Sequence, residues 1–267
     1  MSDSSSSVIA VVLAGGGAED RIARSAGAPS KALVSLDGAP MGAYVVSALR
    51  DSTVVSHVVY VGPTDDRIRP LVDHEIPAGR RMVDSLALGL GAGLACASER
   101  ARTDVRFLVV TADIPWWRAA GVCAFVTDAP EADLVYPVVE AATAEAAFPQ
   151  QKRTYVRLRE GRFTGGNAIL LSAAAVPALL PVIDQAFSAR KAPWRLASLV
   201  GVDVLWGILS GRAELAQLAE RISRLLGLRG IVMVSGDAGI AADVDAPEQL
   251  GSDLRRGPPL AELRGPL

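Results

Sequence analysis

The chain is short of the residues that most often carry metal and proton-transfer chemistry. It has 2 cysteines and 2 histidines in 267 residues. Cys96 and Cys123 lie in apolar segments and form no C-x-x-C pair. They read as buried free thiols in a reducing compartment, not as a disulfide or a zinc site. His57 and His74 have no partner at metal-binding spacing, which argues against zinc and against histidine acid–base catalysis. A basic surplus is also missing: 27 Lys and Arg stand against 29 Asp and Glu, a formal charge of −2. That balance argues against a general binder of nucleic acid or anionic membranes, so any phosphate site must be local. No stretch reads as a bilayer span, because the apolar run from Ala168 to Ile183 is interrupted by Pro177 and Pro181. The N-terminal MSDSSSSVIAVVLAGGG lacks the basic n-region of a secretory signal and carries Asp3. It reads as a disordered serine-rich tail over residues 1–7 followed by a strand, and the protein is expected in the cytoplasm.

What is present suits a large buried core, with 50% hydrophobic residues and no need for covalent staples. Strands are expected at Val8–Leu13, His57–Val61 and Val105–Thr111, with helices near Met41–Arg50 and Val83–Ala97 between them. Fully apolar strands separated by helices indicate an α/β fold with a mostly parallel sheet covered on both faces. In such sheets ligands bind outside the carboxyl ends of the strands. The middle changes character. Leu134–Val139 reads as a strand, and residues 150–172 read as a hairpin turning at Glu160-Gly161 and ending in a strand from Asn167 to Leu171. Beyond it the pattern is mostly helical; Leu215, Leu218, Ile222, Leu225 and Leu226 recur at helical spacing up to Gly227. A last strand follows at Ile231–Val234. Without internal repeats or linkers, the simplest parse is one domain over 8–267 with a helical insertion at about 176–228.

The first strand breaks into Gly15, Gly16 and Gly17, with Lys31 well downstream among small residues. Glycines let a backbone bring several N–H donors to one anion, and a lysine supplies a mobile point charge. The spacing is not a Walker loop, since Lys31 is far from the glycines and precedes Ala32. It is not a dinucleotide fingerprint either, since Asp20 stands where the third glycine belongs. A glycine turn that merely packs a strand against a helix remains an equal reading.

Acids occupy the ends of other strands: Asp113 in TADIP, and Asp243 and Asp245 in ADVDAPEQL. Two carboxylates about 4 Å apart repel by roughly 4 kcal/mol at an effective dielectric of 20. Mg²⁺, which takes oxygen ligands from one or two carboxylates plus phosphates, would satisfy Asp113 and Asp245 with a nucleoside triphosphate. Asp245 could instead cap a helix begun by Pro247 and Glu248, and Asp113 could be a turn residue. On the hairpin, Arg153, Tyr155, Arg157 and Arg159 alternate with Thr154, Val156 and Leu158, placing basic and aromatic groups on one face. That face could hold a phosphorylated acceptor, with Arg157 the residue to test, or serve as a charged edge that blocks aggregation. Trp116 and Trp117 read as core or rim packing before ligand stacking.

These segments in this order, LAGGG with SKAL, SLALGL, TADIP, GGNAILL and DVDAPEQL, resemble nucleotidyltransferases of the nucleotide-diphosphosugar transferase superfamily. Within it they are most similar to molybdenum-cofactor guanylyltransferase-like NTP transferases. The resemblance implies a Rossmann-like, GT-A-like three-layer α/β/α fold. It implies that Leu13, Ala14, Gly15, Gly16 and Gly17 line the nucleotide, that Ser85 helps hold it, and that Lys31 contacts the triphosphate. Lys31 and Asp113 would be catalytic, Asp113 and Asp245 would ligate Mg²⁺, and Gly166 and Asn167 would face the acceptor. Arg21 corresponds to the family arginine after the glycines, displaced by one residue, and the usual Pro-Lys pair is split as Pro29-Ser30-Lys31. The implied reaction moves an NMP from an NTP, with GTP or CTP favoured, to a phosphorylated or hydroxyl acceptor and releases pyrophosphate. The expected partners are the NTP and a small-molecule acceptor, without nucleic acid or stable membrane insertion, and a homodimer is an open assembly. A glycosyltransferase using sugar nucleotides and a non-catalytic nucleotide-binding protein are the alternatives.

Overall fold

The apolar runs of the first half lie side by side in one sheet of a computed structural model that describes residues 7–99, 104–189 and 202–247. In chain order its elements are β1 (Ser7–Leu13), α1 (Arg21–Ser25), β2 (Ser35–Leu36), β3 (Ala39–Pro40), α2 (Met41–Asp51), β4 (Val55–Val61), β5 (His74–Ile76) and α3 (Met82–Glu99). Then come β6 (Val105–Thr111), α4 (Ala119–Asp128), β7 (Leu134–Glu140), α5 (Ala141–Ala147), β8 (Val156–Arg157), β9 (Arg162–Gly165) and β10 (Ala168–Ser172). The last are α6 (Val176–Ala189), α7 (Val202–Leu209), α8 (Leu215–Leu226) and β11 (Gly230–Ser235).

The main sheet has 9 strands in the order β5-β4-β1-β6-β10-β7-β9-β8, with β11 beside β7. β1 runs parallel to β4 and β6, and β11 runs parallel to β7. β10 and β9 run antiparallel to their neighbours. The sheet is therefore mixed but mostly parallel.

Strand periodicity sorts β1 between two cores. Val8, Ala10 and Val12 pack with Val45, Val46 and Leu49 of α2 and with Phe125 of α4. Ile9 and Val11 pack on the other face with Leu86 and Leu90 of α3, joined by Val176 and Leu179 of α6 and Leu226 of α8. Each fully buried Val, Leu or Ile contributes about 1.5–3 kcal/mol, so both helical layers are held by apolar burial. α3 approaches β1 closely because Gly89 has no side chain: a Cβ there would lie 2.5 Å from Val11 and 2.8 Å from Val61. α8 is the amphipathic helix read from the sequence; a Glu214–Gln217 capping box starts it, and left-handed Gly227 ends it.

Two expectations change, two fall outside the described residues, and one is met. β1 begins at Ser7, so the strand takes the last residue assigned to the tail, whose other residues lie outside the described ones. The alternation over 153–159 does not make a strand of that length, because β8 holds only Val156 and Arg157. The cap reading of Asp245 depends on Glu248, outside the described residues. Within the helical stretch, residues 190–201 also lie outside them. Trp117 and Trp116 are buried against Phe125 and Phe148, at ring separations of 6.1 and 5.5 Å, in the role of core residues.

Candidate active site

The carboxyl ends of β1 and β6 adjoin, and their loops form the site. Ala14 stays on the sheet by donating to the Val61 carbonyl at 2.8 Å. The chain then turns through Gly16, whose φ of +137° only glycine adopts without strain. Beside it is a cleft of about 340 Å³ lined by Leu13, Ala14, Gly15, Gly16, Lys31, Ser85 and Asp113. Ser85 is buried at the start of α3, where its Oγ accepts from the Gly79 N–H at 3.0 Å. A Cβ on Gly15 would rest 3.4 Å from that oxygen. Gly17 does not line the cleft. Its space is filled by the Glu19 carboxylate, 2.2 Å from where a Cβ would stand, and its carbonyl accepts from Asp20. Asp20 in turn caps α1, so Gly17 shapes the exit of the turn. Gly79, Arg80 and Arg81 form another wall of the cleft and escaped the sequence reading. The cationic GRR, three residues before SLALGL, was the available signal.

Lys31 stands on a one-turn helix, Lys31–Leu33, and reaches across the cleft floor. Its Nζ lies 2.6 Å from Asp113 Oδ2 and 3.4 Å from Asp245 Oδ1. Burial works against the ammonium, but the charges of Asp113, Asp245 and Asp243 outweigh it and hold the pKa above its ordinary value. Oxygens of Asp113, Asp243 and Asp245 all lie within 4.8 Å of one another. Asp113 Oδ1 is buried without a hydrogen-bond partner. Burial, a hydrogen bond to Asp245 and the neighbouring carboxylates push Asp243 up to about 6. An all-oxygen, mutually repelling set with an unsatisfied buried oxygen fits a hard divalent cation.

Sequence reasoning named Asp243 among the strand-end acids but assigned the cation to Asp113 and Asp245 alone. In an extended segment residues i and i+2 share a face, and buried Val244 between the two acids fixes which face looks inward. The Val244 N–H donates to the Asp113 carbonyl at 3.0 Å, tying the two acidic loops together. Arg21 joins them by donating from Nη2 to the Asp245 carbonyl at 2.9 Å.

On the far side of the acids is a second cavity of about 370 Å³, lined by Lys152, Arg153, Thr154, Thr164, Asn167, Asp243 and Asp245. Asn167 is held there by its backbone, whose N–H donates to Ile240 at 2.8 Å and whose carbonyl accepts from Thr111 at 3.1 Å. Gly166 lies beneath it, with no room for a side chain, since a Cβ would stand 2.8 Å from Pro137. It shapes the cavity without lining it. Arg157 is not brought to the cavity: its stem packs along Gly211 on the outer edge. Arg159 pairs with Glu214 at 2.5 Å, and Arg162 stacks 5.2 Å from the Tyr155 ring. The cavity cations are Lys152 and Arg153.

A mostly parallel sheet with a glycine turn, a lysine and an acid cluster at its carboxyl ends defines a nucleotidyltransferase of the nucleotide-diphosphosugar transferase superfamily. Residues 10–200 match the family model of the MobA-like NTP transferase domain, and the chain belongs to that family. It is 38% identical to a hypothetical transferase from Thermus thermophilus, with a TM-score of 0.81 over 91% of this chain and 99% of that one. The same fold is seen in bifunctional IspDF from Campylobacter jejuni (TM-score 0.54, 12% identity, 94% of this chain and 54% of that one). It is seen again in a 4-diphosphocytidyl-2C-methyl-D-erythritol synthase (TM-score 0.54, 15% identity, 93% and 96%). No curated protein matches the sequence. The family membership supports nucleotidyl transfer over glycosyl transfer. Among the described residues no helix is long and apolar enough to cross a membrane.

Proposed function

We propose that this enzyme transfers an NMP from an NTP to a small acceptor bearing a phosphate or a hydroxyl, in a magnesium-dependent reaction that releases pyrophosphate. One observation carries the reading. Asp113 lines the glycine-turn cleft, Asp243 and Asp245 line the second cavity, and their oxygens lie within 4.8 Å of one another. The acids therefore stand on the boundary between a space for the triphosphate and a space for an acceptor.

Asp113, Asp243 and Asp245 would hold Mg²⁺, which when bound supplies positive charge to the carboxylates and phosphates together. The remaining work falls to the chain. Gly15 and Gly16 let the backbone approach the phosphates, and Lys31 places its ammonium where negative charge accumulates. Asn167 and the Lys152–Thr154 segment orient the acceptor. Its oxygen attacks the α-phosphorus and forms the new O–P bond, while the bond to the β-phosphate breaks and its electron pair leaves with pyrophosphate. A phosphate acceptor is already ionised at neutral pH, so positioning and charge stabilisation suffice without a histidine base, while a hydroxyl acceptor would give up its proton to solvent as the O–P bond forms. Two cysteines in apolar segments without a C-x-x-C pair support a reducing, cytoplasmic setting.

The test is pyrophosphate release, coupled to pyrophosphatase, across the four NTPs with phosphorylated and hydroxyl acceptors. Release with one NTP, dependent on acceptor and abolished by EDTA, is expected. Turnover of UDP-sugars alone, or release unaffected by EDTA, would overturn the reading.

A further inference from the structure

The strap from Ala241 to Asp245 carries two of the three acids, and side chains from a distant segment hold its backbone. Arg153 donates from Nη1 to the Ala241 carbonyl and from Nη2 to Gln151 Oε1. Gln151 passes the link on by donating from Nε2 to the Asp243 carbonyl at 2.5 Å. One segment thereby grips alternate carbonyls of the strap through its side chains. Arg153 Nε is buried without a hydrogen-bond partner, and burial lowers the guanidinium's pKa even with Asp243 and Asp245 nearby. Placing this cation here is costly for folding alone, which is the pattern of a group retained for a site.

We propose that Gln151 and Arg153 are positioning residues that set the strap's backbone so that Asp243 and Asp245 converge with Asp113 on one divalent cation. This rests on the metal reading above. Partners beyond the ligands themselves commonly govern metal affinity by fixing ligand orientation. Lys152, between the two, lines the acceptor cavity, so the same segment that faces the acceptor also holds the metal ligands.

The sign of the effect separates positioning from charge. Removing a cation beside three carboxylates would, by Coulomb's law alone, tighten binding of a divalent ion. Positioning requires the opposite. Mn²⁺ binding to the full chain, followed by loss of the free-ion EPR signal, is compared in wild type, Arg153→Met and Gln151→Ala. Both variants are expected to bind Mn²⁺ about ten- to hundred-fold more weakly, with thermal unfolding midpoints within a few degrees of wild type. Arg153→Lys, which keeps one donor for Ala241, is expected to recover part of the loss. Gln151→Ala changes no charge and decides alone if Arg153→Met does not fold. Wild-type affinity in Gln151→Ala, or tighter binding in Arg153→Met, overturns this inference while leaving the metal reading intact. A wild type that binds no Mn²⁺ overturns both.

Discussion

At the residue scale the site is a balance between one ammonium and three carboxylates, and both sides of it are measurable. Asp113→Asn removes the acid that Lys31 contacts at 2.6 Å; kcat is expected to fall by about 10²–10³-fold with the fold intact. Steady-state kinetics beside a circular dichroism spectrum checks this. Asp243 gives a pH prediction whose sign follows from linkage. Its pKa rises from 3.8 to about 6 on folding, so the folded state holds a proton that the unfolded state releases across that interval. Relative to Asp243→Asn, metal-free wild type should lose stability as pH rises from about 4 to 6, and the difference should shrink with added Mg²⁺. Urea denaturation of both proteins across that range is the measurement. Lys31, Ser85, Asp113, Asp245 and the glycine turn were legible because each sits in a short motif beside an element that the hydrophobic pattern already places. Asp243 was readable by strand alternation alone. Arg153 could not be distinguished from Arg157, because which arginine faces the cavity depends on where a two-residue strand pairs, and that register is set by β9.

At the scale of elements, the long apolar strands were legible because burial on both faces leaves an uninterrupted hydrophobic run. The split of β9 from β10 was not. It depends on Pro137 and Ile240, remote in sequence, which accept from the N–H groups of Gly166 and Asn167. The placing of α3 can be tested at Gly89. Alanine there would gain about 1 kcal/mol of helix propensity against its steric cost, which blurs the outcome. Valine regains less propensity and adds a larger, branched side chain, so Gly89→Val is expected to cost about 1–3 kcal/mol by overpacking against Val11 and Val61. Because α3 carries Ser85 and follows the Gly79–Arg81 wall, the same substitution should also raise the KM for NTP.

For the whole molecule, the two cavities meet at one acid cluster, whose backbone is held by Arg21 and by Gln151 and Arg153. Cooperation between metal and nucleotide follows. At a concentration 100 times its Kd a ligand adds about 2.7 kcal/mol to stability, so the correct NTP should raise the unfolding temperature more with Mg²⁺ than without it, as a thermal-shift panel would read. The most direct measurement is anomalous diffraction from crystals grown with Mn²⁺ and the α,β-methylene analogue of that NTP. The account predicts one manganese peak bounded by Asp113, Asp243 and Asp245, with the phosphates directed toward Lys31 and the Gly15–Gly16 turn. A peak away from these carboxylates, or a nucleotide bound outside the glycine-turn cleft, would contradict it.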